Sequence, residues 1–196
     1  INTKNKGDFS HILKLIDFND HSIPENSVEF IAEVIEQLGN ESFKITISNQ
    51  GTKITKDNVI QLLKQHERYP SFFSENISIE IDFISSNFYI LSKSEEMKNL
   101  SQTAIERIIN NPRLRLEDED QLLTFINNLY KRDKENCELY QYVNFSNISV
   151  SKIQDFLSIF DVFDLNQTIW NSLSMRLQHE IIIDEKLLYF FLHLFY

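Results

Sequence analysis

Three glycines and three prolines in 196 residues leave this chain few points at which a helix must stop or the backbone can turn left-handed. A chain so short of both favours helices joined by brief connections. The apolar share of 42% is enough to fill a core, which excludes disorder over the whole length. The length allows one domain or two small ones.

The net charge of −10 narrows the function classes. Nucleic-acid affinity comes mainly from clustered Lys and Arg, and an anionic membrane surface repels an acidic chain. Neither is expected as a partner. The lone Cys137 cannot form an intramolecular disulfide, which fits a reducing compartment, cytoplasmic or nuclear. No apolar run reaches the ~20 residues that span a bilayer. The closest, Leu187 to Tyr196, is interrupted by His193.

Along the chain the hydrophobic period changes. Ile12 to Phe18 reads as a strand, with Asn19-Asp20 as its turn. Asn26 and Glu29 have the spacing of a capping box. Val28, Ile31, Val34, Ile35 and Leu38 then follow a helical period, and Gly39-Asn40 stops it. Phe43 to Ile47 alternates as a half-buried strand does. Thr55 reads as the cap of a helix carrying Val59, Leu62, Leu63 and His66, closed by Pro70. A further helix from about Ser74 has Ile77, Ile81, Ile84 and Phe88 as its apolar row.

The polar stretch Lys93 to Asn99 reads as a domain boundary, after which helical spacing takes over. Ser101 caps a helix bearing Ala104, Ile105, Ile108 and Ile109, stopped at Asn111-Pro112. The acidic run Glu117 to Asp120 opens the next helix and Lys131-Arg132 lie near its end, both favourable to the helix dipole. That helix presents Leu122, Leu123, Phe125, Ile126, Leu129 and Tyr130. Helical rows follow at Leu139 with Val143, at Ile153, Phe156, Leu157 and Phe160, and at Ile169, Trp170, Leu173 and Leu177.

These residues carry a family resemblance. The order strand, helix, short strand, helix, helix over residues 12–91 resembles the C-terminal half of a BTB (POZ) domain. Its nearest stretch is Ile54-Thr55-Lys56-Asp57-Asn58-Val59-Ile60-Gln61-Leu62-Leu63. Leu114 to Ile126 and Leu139 to Ser149 resemble a BACK domain, the helical region that often follows BTB. The resemblance implies an α-rich α+β fold. Residues 1–95 would be a partial BTB-like α/β segment, and residues 96–196 an all-α BACK-like helical segment. It also implies a non-enzymatic interaction module without cofactor, a substrate adaptor or scaffold that meets a cullin-type ubiquitin ligase. The BTB opening hairpin and helix are not found, so the chain reads as truncated at its start. Oligomerisation is expected only where those elements are present. Many BTB adaptors carry an apolar-X-Glu triplet that touches the cullin. Here the region reads Asp8-Phe9-Ser10-His11, with no Glu, so any cullin affinity should be weak.

The search for chemistry leaves little. His11, His21, His66, His179 and His193 show no zinc spacing, and Cys137 lacks a catalytic motif. No glycine-rich phosphate loop can be built. His66 is expected as a hydrogen-bonded residue at the core edge. The readings left beside the adaptor are an α-helical enzyme whose site assembles from distant residues, and a fragment without independent function. The expected partner contact is the Tyr69-Pro70-Ser71-Phe72-Phe73 corner. There Tyr69, Phe72 and Phe73 would serve as anchors, or else pack the turn between two helices.

From the charge, no specific nucleic-acid binding is expected at physiological salt. A fluorescence anisotropy titration that found salt-sensitive, submicromolar affinity for any duplex or single strand would contradict this.

Overall fold

A computed structural model describes residues 2–17, 27–39, 53–68, 70 and 73–180. The chain divides into two compact units, Ile1–Phe83 and Ile84–Tyr196. Among the described residues every regular element is helical.

In the first unit, helix α1 runs over Phe9–Asp17. Asp8 opens it: its Oδ1 accepts the Ser10 N–H at 2.9 Å and its carbonyl accepts the His11 N–H at 3.1 Å. The strand expected from Ile12 is therefore corrected to helix through Asp17, while Phe18 lies outside the described residues. Phe9, Ile12, Leu13 and Ile16 stand at i, i+3, i+4 and i+7, a helical period that a reading begun at Ile12 misses. Ile12 is buried. The second expected strand, Phe43 to Ile47, lies outside the described residues, as does Asn26 of the expected capping box.

Helix α2 (Val28–Leu38) buries Val28, Phe30, Ile31, Ala32, Val34 and Ile35. It stops as expected at Gly39, whose φ of +63° is left-handed backbone that glycine adopts without a Cβ penalty. Helix α3 (Val59–His66) starts later than expected, and its opening is built by Asn58 rather than Thr55. The Asn58 side chain reaches back, accepting from the Thr55 N–H at 2.8 Å and donating to the Lys53 carbonyl at 3.1 Å. A side-chain amide has both an acceptor oxygen and donor N–H groups, so it can make the two bonds at once.

Helix α4 (Ser74–Ser86) buries Ile77, Glu80, Ile81 and Ile84 at i, i+3, i+4 and i+7. The division between the units falls inside it. In the second unit, Asn87 breaks the helix and a turn of helix, α5 (Phe88–Leu91), follows. The polar stretch Lys93 to Asn99 holds the short helix α6 (Glu95–Lys98), capped by Ser94, with Met97 fully buried. Helix α7 (Gln102–Ile109) is capped by Ser101, which accepts the Ala104 N–H at 3.1 Å, and all four of its expected apolar residues are buried.

Helix α8 (Glu119–Arg132) begins at Asp118, whose Oδ1 accepts the Gln121 N–H at 2.8 Å. All six of its expected core residues are buried. The residues around Leu139 form a 3-10 segment, Lys134–Tyr142, and a short one follows at Phe145–Asn147. Helices α9 (Val150–Ile159) and α10 (Gln167–Glu180) complete the described unit. The apolar segment after Leu187 lies outside the described residues.

Rings fill the core of this unit. Phe156 is fully buried and stacks on Phe160 with centroids 4.7 Å apart. It also meets Tyr140 at 5.1 Å and Phe145 at 5.0 Å. Tyr140 meets Tyr130 at 5.5 Å edge to face. These are the spacings at which ring quadrupoles attract. Phe156→Ala should therefore cost about 3–5 kcal/mol, read as a lower urea midpoint at unchanged slope.

Candidate interaction surfaces

The corner between α3 and α4 is organised by a buried polar pair. His66 Nδ1 lies 2.6 Å from Glu80 Oε1, and both side chains are buried. The His66 ring stacks on Phe73 with centroids 4.3 Å apart. Phe73 is 2% exposed, so in this structure its ring is enclosed within the fold. Tyr69 and Phe72, the other two expected anchors, lie outside the described residues. His66 is thus a hydrogen-bonded core residue, as expected. The sequence reading did not name its partner, although Glu80 falls on the Ile77–Ile81–Ile84 stripe, where a carboxylate must find a bond.

In the second unit, a groove of ≈ 430 Å³ lies along the start of α8, bordered by Lys93, Lys98, Lys152, Asp118, Asp120 and Thr124 among others. Each border lysine has an acidic partner: Lys93 with Glu117 at 2.7 Å, Lys98 with Glu95 at 2.7 Å, and Lys152 with Asp155 at 3.2 Å. Such exposed pairs contribute little to stability. The acidic run has structural tasks. Asp118 caps α8, and Asp120 accepts the Ser149 N–H at 2.8 Å. Burial pushes the Glu119 carboxyl above its usual range, against the bond it accepts from the Asn144 backbone. Gln121 ties the border together, donating to the Tyr89 carbonyl at 2.8 Å and accepting from the Glu117 N–H at 3.0 Å.

The most exposed aromatic residue of the described set is Phe163, 93% exposed beside a 40% exposed Val162. The turn that carries it is firmly held. The Phe163 N–H donates to Asp161 Oδ1 at 3.1 Å, and the Asp161 N–H donates to the Tyr130 hydroxyl at 3.1 Å. That hydroxyl in turn donates to the Asp164 carboxylate. Sequence reading missed this site. Apolar Phe160, Val162, Phe163 and Leu165 alternate with two aspartates on neither a helical nor a strand period, so no pattern marked which ring faces water.

Catalytic chemistry finds little footing. Among the described residues no three His, Cys, Asp or Glu side chains group as a metal site would need. Burial pushes the Cys137 thiol up, with Asp164 and Glu138 adding to it, which disfavours the nucleophilic thiolate. Among the described residues no helix is long and apolar enough to cross a membrane.

Comparison with known families gives one match: residues 76–159 match the BACK family, BTB And C-terminal Kelch. The match runs from within α4 to the end of α9, and so takes in the groove, the acidic run and the rings of Tyr130, Tyr140, Phe145 and Phe156. The BACK part of the resemblance is shown by it, and the BTB part is not. No curated protein and no solved structure matches the chain.

Two truncations separate core from surface. Phe73→Ala should lose about 3–5 kcal/mol of stability, the cost of emptying a buried phenylalanine site. Phe163→Ala should stay within about 0.5 kcal/mol of the parent. Urea denaturation of both would show the reverse order if the two placements were wrong.

Proposed function

We propose that this chain is a protein–protein interaction module of the BTB–BACK adaptor type, acting by holding a protein partner. The BACK match over residues 76–159 carries this reading, since that domain belongs to non-enzymatic adaptors of cullin ligases. In this reading residues 1–95 are a partial BTB-like segment and residues 96–196 the BACK-like segment. The partner class is a cullin scaffold, met in the cytoplasm or nucleus.

The contact residues follow from exposure and chemistry. Phe163 stands in water on a turn that is already ordered, so little conformational entropy is lost when it is buried in a partner. Aromatic residues supply much of the binding energy at interfaces. At the α3–α4 corner, Tyr69 and Phe72 are the proposed contacts. Phe73, the third residue of that expected set, is enclosed and stacks on His66.

Surface plasmon resonance with a cullin N-terminal region over the immobilised chain tests this. Expected is a saturable but weak interaction, with Kd above about 1 μM, or less than about 8 kcal/mol. Phe163→Ala should weaken it about tenfold or more with stability intact. Absence of any saturable signal would remove the cullin as partner. Unchanged affinity in Phe163→Ala would remove that residue from the contact.

A further inference from the structure

Residues Asn2 to Gly7 lie along one edge of α2 and are held there by its side chains. Gln37 makes a reciprocal pair with Asn2: its Oε1 accepts the Asn2 N–H at 3.1 Å and its Nε2 donates to the Asn2 carbonyl at 2.7 Å. One turn back, Glu33 Oε2 accepts the N–H groups of Lys4 and Asn5 at 2.8 and 3.2 Å, and its Oε1 accepts from Asn5 Nδ2 at 2.9 Å. One turn further, Gly7 passes Phe30 so closely that a Cβ on it would lie 2.3 Å from the ring. Phe30, Glu33 and Gln37 are spaced three and four apart, so they form one stripe of the helix.

Four of the five bonds go to the main chain of residues 2–5, which any polypeptide offers. The two features read from side chains are the Asn5 amide and the bare Gly7. Charge is matched as well. The α2 edge carries Glu33 and Glu36, and the segment laid on it carries Lys4 and Lys6.

We infer that this edge of α2 is a binding site for an extended, basic segment of a partner protein, and that residues 2–7 are its occupant in cis. The site recognises backbone through Glu33 and Gln37, and requires glycine where the segment crosses Phe30. A second copy of the chain is disfavoured as occupant, because two chains of net charge −10 repel. The cis segment is tethered to α1 within one or two residues, so it occupies the site at a high effective concentration. The partner binds by displacing it. This inference does not depend on the adaptor reading.

The test uses the full chain and a fluorescein-labelled peptide of residues 2–8, Asn-Thr-Lys-Asn-Lys-Gly-Asp. The triple variant Lys4→Pro, Asn5→Pro, Gly7→Val frees the site without touching it. Proline has no N–H for Glu33, and valine collides with Phe30. Release should appear as faster trypsin cleavage after Lys6. The peptide should then bind the variant at least about tenfold more tightly than the parent. Adding Glu33→Ala should abolish that binding, and a peptide with Val in place of Gly should not bind.

Unchanged cleavage after Lys6 would overturn the inference, because these bonds would not hold the segment. Failure of the peptide to bind a released variant would overturn it equally. Concentration-dependent dimerisation of the variant in sedimentation would overturn the choice of occupant in favour of a second copy. If the triple variant does not fold, Gln37→Ala, an exposed substitution, replaces it. Cleavage after Lys4 and Lys6 should then quicken, and no change would count against the site.

Discussion

The second unit depends on how its aromatic rings are packed. Tyr130 comes from α8, Tyr140 from the 3-10 segment after it, Phe145 from the next turn, and Phe156 and Phe160 from α9 and its end. Four successive pieces of chain are thereby fixed to one another by ring contacts. Two of the rings carry hydroxyls, and buried hydroxyls need partners. Tyr140 donates to Asn127 at 2.7 Å inside the core, and burial holds its phenol far above the usual range, so it stays a donor. Tyr130 is directed outward to Asp164 and the Asp161 N–H. The same core that stabilises the unit therefore also fixes the turn on which Phe163 stands.

Buried polar groups do the remaining work of setting register. Arg176 on α10 donates to the carbonyls of Phe145, at 2.8 Å, and of Ile148, while Ser172 bonds the Val143 carbonyl at 3.0 Å. These carbonyls belong to the irregular backbone around the 3-10 turns, and the side chains add bonds there beyond the one the Phe145 carbonyl accepts from the Ile148 N–H at 3.3 Å. In the first unit His66 and Glu80 play the corresponding part. Each arrangement is specific in direction, where apolar packing alone tolerates sliding.

The lysines that border the groove along α8 are each paired with a carboxylate, and among the described residues no three His, Cys, Asp or Glu side chains group as a metal site would need. In one unit an ordered aromatic turn faces water, and in the other the acidic edge of α2 is covered by residues 2–7. The net charge of −10 favours basic partners for both.

Most of the helical plan was legible in the sequence, because it rests on local rules. Ser101 and Asp118 announce helix starts, Gly39 a stop, and the rows of α2, α7 and α8 a buried face, each through spacing and capping chemistry. The error at Ile12 was also local: Ile12, Leu15 and Ile16 by themselves fit either period until Asp8, Phe9 and Leu13 are counted with them. Tertiary structure alone decided which polar residues enter the core. Glu80, Asn127 and Arg176 sit on apolar stripes, yet nothing near them in sequence supplies the histidine, tyrosine or carbonyls that make their burial affordable. It also decided that Phe73 is enclosed while Phe163 faces water. A ring's exposure depends on what distant chain covers it, and a linear pattern carries no record of that.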